Sequence, residues 1–575
     1  MEKIIKRRAI VADTHLSNIS HPKLRQIYAS RNVTSDEEMQ LSLNQLLPID
    51  LMAGIPAACE VLFEHVLANN KITVVGDFDA DGATSTSLMA SALSMFGVQH
   101  HDFLVPNRFE YGYGLTPEIV DIAAKQGTNL IITVDNGISC FAGVERAKAL
   151  GISVIVTDHH LPSDKLPPAD AIINPNQLDC TFPSKAIAGV GVAFYFMMGF
   201  RKYLRDKGWF EQRNIPEPNL AQLLDLVALG TVADVVSLDR NNRILVEQGL
   251  KRIRAGVTRP GIQALIEVAC KNQQRMIASD FGFALGPRIN AAGRLDDMAY
   301  GIQCLLAEDL MSARVMAAEL DGLNKSRREI EQGMQNEAEI ILKQLKFDSH
   351  NLPYSIALFH SEWHQGVIGI VAGRIKEKFH RPTIVFAAVE NSNEIKGSAR
   401  SIPGLHIRDL LEAIHCKHPN LIIKFGGHAM AAGLSIHREN FEAFQQAFEI
   451  EAKRLLDEEK LTGVILSDGS LDASEMTLSF AELVRQAGPW GQNFPEPVFD
   501  DRFELLQQRI VGEKHLKLVV QKDMMAFDAI AFNVDIQQWP NAKATHVNLA
   551  YKLDINEFRG KQSLQLMVEH ITASY

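Results

Sequence analysis

Four acidic clusters stand out as residues able to do chemistry. "VVGDFDADGATS" carries Asp77, Asp79 and Asp81, "IITVDNG" carries Asp135, "VIVTDHH" carries Asp158, His159 and His160, and "LVALGTVADVVSL" carries Asp234 after an apolar run. Singly, each has an ordinary explanation, because Asp and Asn suit the turns and helix caps that follow strands. Together they put many carboxylates at the ends of apolar runs, where burial without compensating cations is costly. Divalent metal is the natural compensation. A carboxylate-rich set with imidazole suits Mn2+ or Mg2+ better than Zn2+, which favours Cys and His. Two such ions a few ångströms apart would suit attack on phosphorus.

Positioning those ends requires a particular kind of framework. From Ile72 to about Leu238, short Val/Ile-rich runs ("KITVVGDFD", "HDFLVP", "NLIITVDNG", "ISVIVTDHH", "AIINPN") alternate with amphipathic stretches such as "TPEIVDIAAKQG". That alternation predicts an α/β fold with a parallel, doubly wound sheet, in which ligands gather at the carboxyl ends of strands. The chain divides into a helical N-terminal cap (1–50), the acidic α/β domain (51–305), a charged connecting helix (306–347), a mixed α/β domain (348–460) and a C-terminal OB-like β-barrel (461–575). The connecting segment reads as one long or twice-kinked helix, with Gly322 and Gly333 inside it. The barrel is read from alternating strands such as "KHLKLVVQ" and "MAFDAIAFNV". In the cap, Thr34 or Ser35 offers a helix N-cap.

The ordered set "DFDADG", "VDNG", "TDHH" and "ADVV", followed by "GGHAMAAGLSI", resembles the motifs of the DHH phosphoesterase superfamily and its associated DHHA1 domain. With a terminal barrel, the chain is similar to the single-strand-specific DNA exonucleases of that superfamily over nearly its whole length. The resemblance implies Asp77, Asp79, Asp135, His159 and Asp234 as metal ligands, Asp135 bridging, with Asp81 an additional carboxylate. It implies His160 beside the scissile phosphate and Asp158 orienting a histidine. Implied too are hydrolysis from the 5' end to nucleoside 5'-monophosphates, a role in recombination and repair, and partnership with a single-strand-binding protein and a helicase.

Substrate contacts are expected from "VPNRFEYGYG" (Arg108, beside Phe109, Tyr111 and Tyr113) and from "GPRINAAGR" (Arg288, Asn290, Arg294). They are also expected from "KGSARS" (Ser398, Arg400) and "FGGHAM" (Gly426, Gly427, His428). Arg suits a terminal phosphate through its forked geometry. The barrel is charge-neutral from Asp501 onward, and Phe503, Lys514, His515, Lys517, Phe558, Arg559 and Lys561 are its expected strand contacts, with Trp490 at the domain junction. A net charge of -11 excludes a protein coated in basic surface, though not a local basic groove. Six scattered cysteines without a CxxC pair exclude a zinc ribbon or a disulfide framework. With no apolar run near the ~20 residues a bilayer needs and no signal-peptide pattern at the start, a cytoplasmic, membrane-free protein is expected. Two rival readings are a small-molecule phosphodiesterase or pyrophosphatase with the same metal site, and a degenerate non-enzymatic scaffold. The barrel and connector weigh against the first, and the full carboxylate set against the second.

Overall fold

The structure is a computed structural model that describes residues 3–107, 110–344 and 352–574. Arg108 and Phe109 lie outside the described residues, as does the side chain of Phe558.

The acidic domain is built on a five-stranded, wholly parallel sheet. Its spatial order is His101–Leu104, Ile72–Val75, Leu130–Val134, Ser153–Thr157, Ala171–Ile173. Numbered along the chain this is 2-1-3-4-5, so the direction of winding reverses between Ile72–Val75 and Leu130–Val134. Ligands bind in the crevice at that reversal, and the two strands flanking it are the ones that run into Asp77 and Asp135. Every residue of both strands is buried, as expected of a sheet covered on both faces.

The helix Ala80–Met95 that follows the first acidic turn is buried almost all round beneath helices Gly189–Asp206 and Leu224–Ala233. Three of its Ser and Thr residues are satisfied there by bonding back one turn: Thr84 to the Ala80 carbonyl at 2.9 Å, Thr86 to Gly82 at 2.8 Å, Ser87 to Ala83 at 2.8 Å.

Two elements differ from the sequence expectation. The apolar run before Asp234 is not a strand but the helix Leu224–Ala233, with Asp234 as its C-terminal cap. A continuous apolar run fits a fully buried helix as well as a buried strand, and periodicity cannot separate them. The N-terminal region is not simply helical either. Ile4–Arg7 forms a strand paired in parallel with Val464–Ser467, and only one full α-helix, Pro22–Ala29, precedes residue 50 among the described residues. Ser35 starts a short 3-10 turn, Asp36–Met39, without a side-chain cap.

The connecting segment runs as one helix of 35 residues, Leu310–Gln344, through both glycines. At 1.5 Å per residue it is about 52 Å long. It is bonded at two levels: Asp321 takes Arg288 of the acidic domain at 2.8 Å, and Glu331 takes Arg374 of the mixed domain at 3.0 Å. The mixed sheet has the order Lys424–Gly427, Ala431–His437, Glu394–Arg400, Thr383–Ala388, Ile356–His360, with only the last pair parallel. The C-terminal strands Phe499–Val511, His515–Lys522, Met525–Ala531, His546–Phe558 and Lys561–Ser574 close into a barrel. Phe503 is in the barrel core against Tyr551 and Phe527, so it is not a strand contact. Trp490 does sit at the junction, stacked on Phe494 and Tyr28. Among the described residues no single helix is long and apolar enough to cross a membrane.

The junction rests on a buried ion pair, Arg31 with Asp468 at 2.7 Å, their side chains 1% and 3% exposed. Nearby, Arg7 meets Asp500 at 2.9 Å with its own side chain 58% exposed. Asp468→Ala strands a desolvated guanidinium and is expected to cost about 3–5 kcal/mol. Arg7→Ala is expected to cost about 0–1 kcal/mol. Urea unfolding followed by tryptophan fluorescence checks this; equal losses would show the junction does not depend on the buried pair.

Candidate metal centre

Asp79 caps the helix Ala80–Met95 by accepting from the Gly82 amide at 3.0 Å, which fixes the acidic turn at a helix N-terminus. Asn136 bonds the Val75 carbonyl at 3.1 Å and the Val134 carbonyl at 2.9 Å, tying the two acidic strand ends together. Asn176 and Asn174 hold the His159 and His160 carbonyls at 2.6 and 2.9 Å. These three asparagines position the site and escaped the sequence reading. The only signal was their place in "VDNG" and "INPN", where a turn explains Asn equally well.

Two residues sit in strained backbone. Asp135 has φ 60° and Val235, next to Asp234, has φ 62°. A β-branched residue there is a genuine outlier, costing on the order of 1–3 kcal/mol. Gly189 makes room for this geometry, because a Cβ on it would lie 2.7 Å from the Asp135 side chain.

The acids converge. Asp77, Asp79 and Asp135 each offer an oxygen within 4.8 Å of the others; so do Asp135, His159 and His160 with their ligand atoms, and so do Asp81, His159 and Asp234. Asp135 thus belongs to two of the groups. His159 Nε2 lies 3.1 Å from Asp135, 3.5 Å from Asp234 and 3.9 Å from Asp81. Asp81 differs from the ligand expectation in how it spends its oxygens. They accept from the amides of Gly189 and Val190 at 2.7 and 2.9 Å, at the start of helix Gly189–Asp206.

Burial and mutual repulsion push these carboxyls up. Asp135 and Asp234 are raised well above the usual range by desolvation and then by Asp81 and Asp79. Asp81 is raised to about 7 by burial and the charge of Asp79. Burial and the neighbouring His160 depress His159 to about 4, so its imidazole is neutral and supplies no positive charge. Asp135 Oδ1 and His159 Nε2 are buried and neither makes a hydrogen bond within the protein. Neutral imidazole, several carboxylates and two buried atoms without donors fit Mn2+ or Mg2+.

The second histidine behaves oppositely. His160 Nδ1 donates to Asp158 at 2.7 Å, and Asp158 also accepts from the amides of Ile138, His159 and His160. Burial works against charge on His160. The Asp158 hydrogen bond and the charges of Asp158, Asp77 and Asp79 outweigh it and hold the imidazole at about 9. Burial would raise Asp158, but its bond to His160, the charge of His160 and the Ile138 amide bring it below the usual range. Asp158 thereby fixes the His160 imidazolium beside the acids.

Next to the acids lies a cavity of ≈ 320 Å³ lined by Phe78, Asp79, Asn290, Arg294, Lys396, Ser398 and Arg400 among others. Arg400 is held by Ser398 Oγ at 3.1 Å and the Ala399 carbonyl at 2.8 Å. No carboxylate among the described residues pairs with it, and burial alone lowers its pKa. Asn290 also caps the acidic helix, accepting from the Ala80 amide at 2.8 Å. Arg288, expected in this pocket, does not line it. It is spent on Asp321 and on the Ala284 carbonyl, because its spacing from Arg294 along the helix turns the two side chains to different faces. Gly426 and Gly427 form part of a hairpin strand, and the ring of His428 stacks on His160 with centroids 6.0 Å apart.

Residues 71–231 match the DHH family N-terminal domain, 351–454 the DHHA1 domain and 467–570 the RecJ OB domain. The chain is 57% identical over 572 residues to the single-stranded-DNA-specific exonuclease RecJ of Salmonella typhimurium (strain LT2), covering 99% of each. It is 56% identical over 569 residues to that of Escherichia coli (strain K12), covering 99% of this chain and 98% of the relative. The crystal structure of RecJ in complex with Mn2+ from Thermus thermophilus superposes with TM-score 0.81 at 28% identity, covering 100% of this chain and 80% of that one.

Because the acids repel one another, saturating Mn2+ is expected to raise the unfolding temperature. At one hundred times its dissociation constant a ligand contributes about 2.7 kcal/mol. Asp135→Asn should unfold no earlier than the parent without metal, since a repelling charge is gone, yet gain little from Mn2+. Calorimetry of both proteins with and without the ion checks this; an equal gain in the variant would remove Asp135 from the metal set.

Proposed function

The chain belongs to the RecJ family of single-stranded-DNA-specific exonucleases, and on that premise we propose how its residues divide the work. The protein is a metal-dependent exonuclease of single-stranded DNA that uses Mn2+ or Mg2+. The observation that carries the reading of the site is the sharing of Asp135 between the Asp77/Asp79 group and the His159 group. We assign Asp77, Asp79, Asp135, His159 and Asp234 as the residues that would hold two ions, Asp135 being common to two of the groups, with Asp81 backing them from the helix start.

When bound, the ions supply Lewis-acid charge at the phosphate and lower the pKa of the attacking water. The residues of the chain do the rest. His160, kept cationic by Asp158, donates to a phosphoryl oxygen and stabilises charge that grows as water attacks phosphorus. The bond to the 3' oxygen of the terminal nucleotide breaks; the water's hydroxyl stays on phosphorus and its proton ends on the departing oxygen. Arg400, with Arg294, Asn290 and Ser398, holds a terminal phosphate, which a half-buried guanidinium without a carboxylate suits. That end is the 5' end in our reading, and the product a nucleoside 5'-monophosphate. Gly426, Gly427 and His428 form the wall facing His160. The barrel follows the strand at a distance through Lys514, Lys517, Arg559 and Lys561. A cytoplasmic role in recombination and repair, beside a single-strand-binding protein and a helicase, completes the proposal.

Asp135→Ala or Asp234→Ala is expected to abolish release of mononucleotides in a folded protein; near-parental turnover in either would reject the ligand assignment. Arg400→Ala should lose most of the preference for 5'-phosphorylated over 5'-hydroxyl DNA, whereas Arg288→Ala should keep it and lose stability at the long helix. Competition between the two labelled substrates reads this directly, and a preference retained by Arg400→Ala moves the pocket elsewhere. Alanine at Lys514, Lys517 and Lys561 together should weaken binding of long strands and flatten its salt dependence, each phosphate contact contributing a slope of about one. An unchanged slope would take these lysines off the DNA.

A further inference from the structure

Tyr113 takes no part in the scheme above, although it touches the site directly. Its hydroxyl lies 3.3 Å from the Asp135 carbonyl, to which it donates, and 3.4 Å from His160 Nδ1. Its ring packs at right angles to His160, with centroids 6.0 Å apart, and to Phe78, at 6.1 Å. Phe78 in turn lines the cavity that contains Arg400. The tyrosine therefore stands between the scissile phosphate beside His160 and the pocket for the terminal phosphate. Those two phosphates belong to opposite sides of one nucleotide.

The local sequence presents this ring and holds it. Tyr113 is flanked by Gly112 and Gly114, at φ 80° and 71°, and a Cβ on Gly114 would press on Cys140 Sγ at 2.8 Å. Its hydroxyl end is fixed by the Asp135 carbonyl and His160, yet the residue is 46% exposed. An aromatic ring anchored at its polar end in a residue nearly half exposed is suited to take a flat, apolar partner.

We propose that Tyr113 is the stacking platform for the base of the nucleotide being removed. The proposal rests on the reading of the Arg400 cavity as the terminal-phosphate pocket. Stacking accepts all four bases, because each has a π-face, and is worth about 1–3 kcal/mol per base. That tolerance is what an exonuclease without sequence preference needs. It also selects for single strands. A terminal base in a duplex is paired and stacked on its neighbour, and must give up both to reach Tyr113.

The test uses 5'-phosphorylated single strands carrying an abasic residue at the first or the second position, cleaved by the intact protein, Tyr113→Phe and Tyr113→Leu. In the intact protein, loss of the first base should lower kcat/KM for the first cleavage about 10-fold, chiefly through KM, as expected from the lower half of the stacking range. Tyr113→Phe keeps the ring and should keep that ratio, whereas Tyr113→Leu should bring it to about one. A ratio unchanged in Tyr113→Leu, an intact protein indifferent to the first base, or a dependence that moves to the second base would each overturn the proposal. Should Tyr113→Leu fail to fold, the intact protein decides the matter. Stopped-flow mixing with Mg2+ and a strand bearing 2-aminopurine at the first position should show a fall in fluorescence on binding and a rise on release. Absence of the fall overturns the platform. If the intact protein keeps its preference for a 5' phosphate, such failures count against Tyr113 alone; if that preference is itself missing, the cavity assignment has failed instead.

Discussion

The constraint on which the structure depends is the mutual repulsion of carboxylates held out of water around Asp135. Desolvation and neighbouring acids drive Asp135 and Asp234 well above their ordinary range, while His159 beside them is neutral. A chain folded around such a cluster must hold the acids rigidly, because relaxation would separate them. The surroundings do this. Asp79 is locked as a helix cap, Asp81 is held by two amides at the start of Gly189–Asp206, and Asn136 ties the strand ends together. The strained backbone at Asp135 and Val235 is the visible cost of bringing Asp135 and Asp234 together.

The same field divides the two adjacent histidines. His159 is enclosed and neutral, and His160, bonded to Asp158, is held cationic at about 9. One residue of displacement along the chain separates a neutral, buried nitrogen from a charged hydrogen-bond donor. This division needs Asp158 to be buried and satisfied, which its amide bonds from Ile138, His159 and His160 provide.

Around this centre, function depends on distance. The long helix Leu310–Gln344 sets the mixed domain against the acidic one through Arg288–Asp321 at one level and Arg374–Glu331 at another. That arrangement brings Arg400 and Ser398 into the cavity shared with Asp79 and Asn290. Arg400, half-buried and without a carboxylate partner among the described residues, thus shares a cavity with the edge of the acidic cluster at Asp79.

By itself the sequence determined the chemistry of the centre and the class of each domain. Alternating apolar runs and helices give a parallel sheet, Asp77, Asp135 and Asp158 fall at its strand ends, and the ordered motifs identify the superfamily, because these are properties of local pattern. Where a local pattern has two solutions, only tertiary structure decided. The run before Asp234 is apolar enough for strand or helix, and burial beneath neighbouring helices made it a helix. Arg288 and Arg294 are indistinguishable in sequence, but one faces Asp321 and the other the cavity. Asp81 is as acidic as Asp79, yet a helix start far downstream, at Gly189 and Val190, takes its oxygens. Phe503 turned into the barrel core, and Ile4–Arg7 found a strand partner at Val464–Ser467. In each case the deciding contact joins residues far apart in the chain, and no local spacing encodes it.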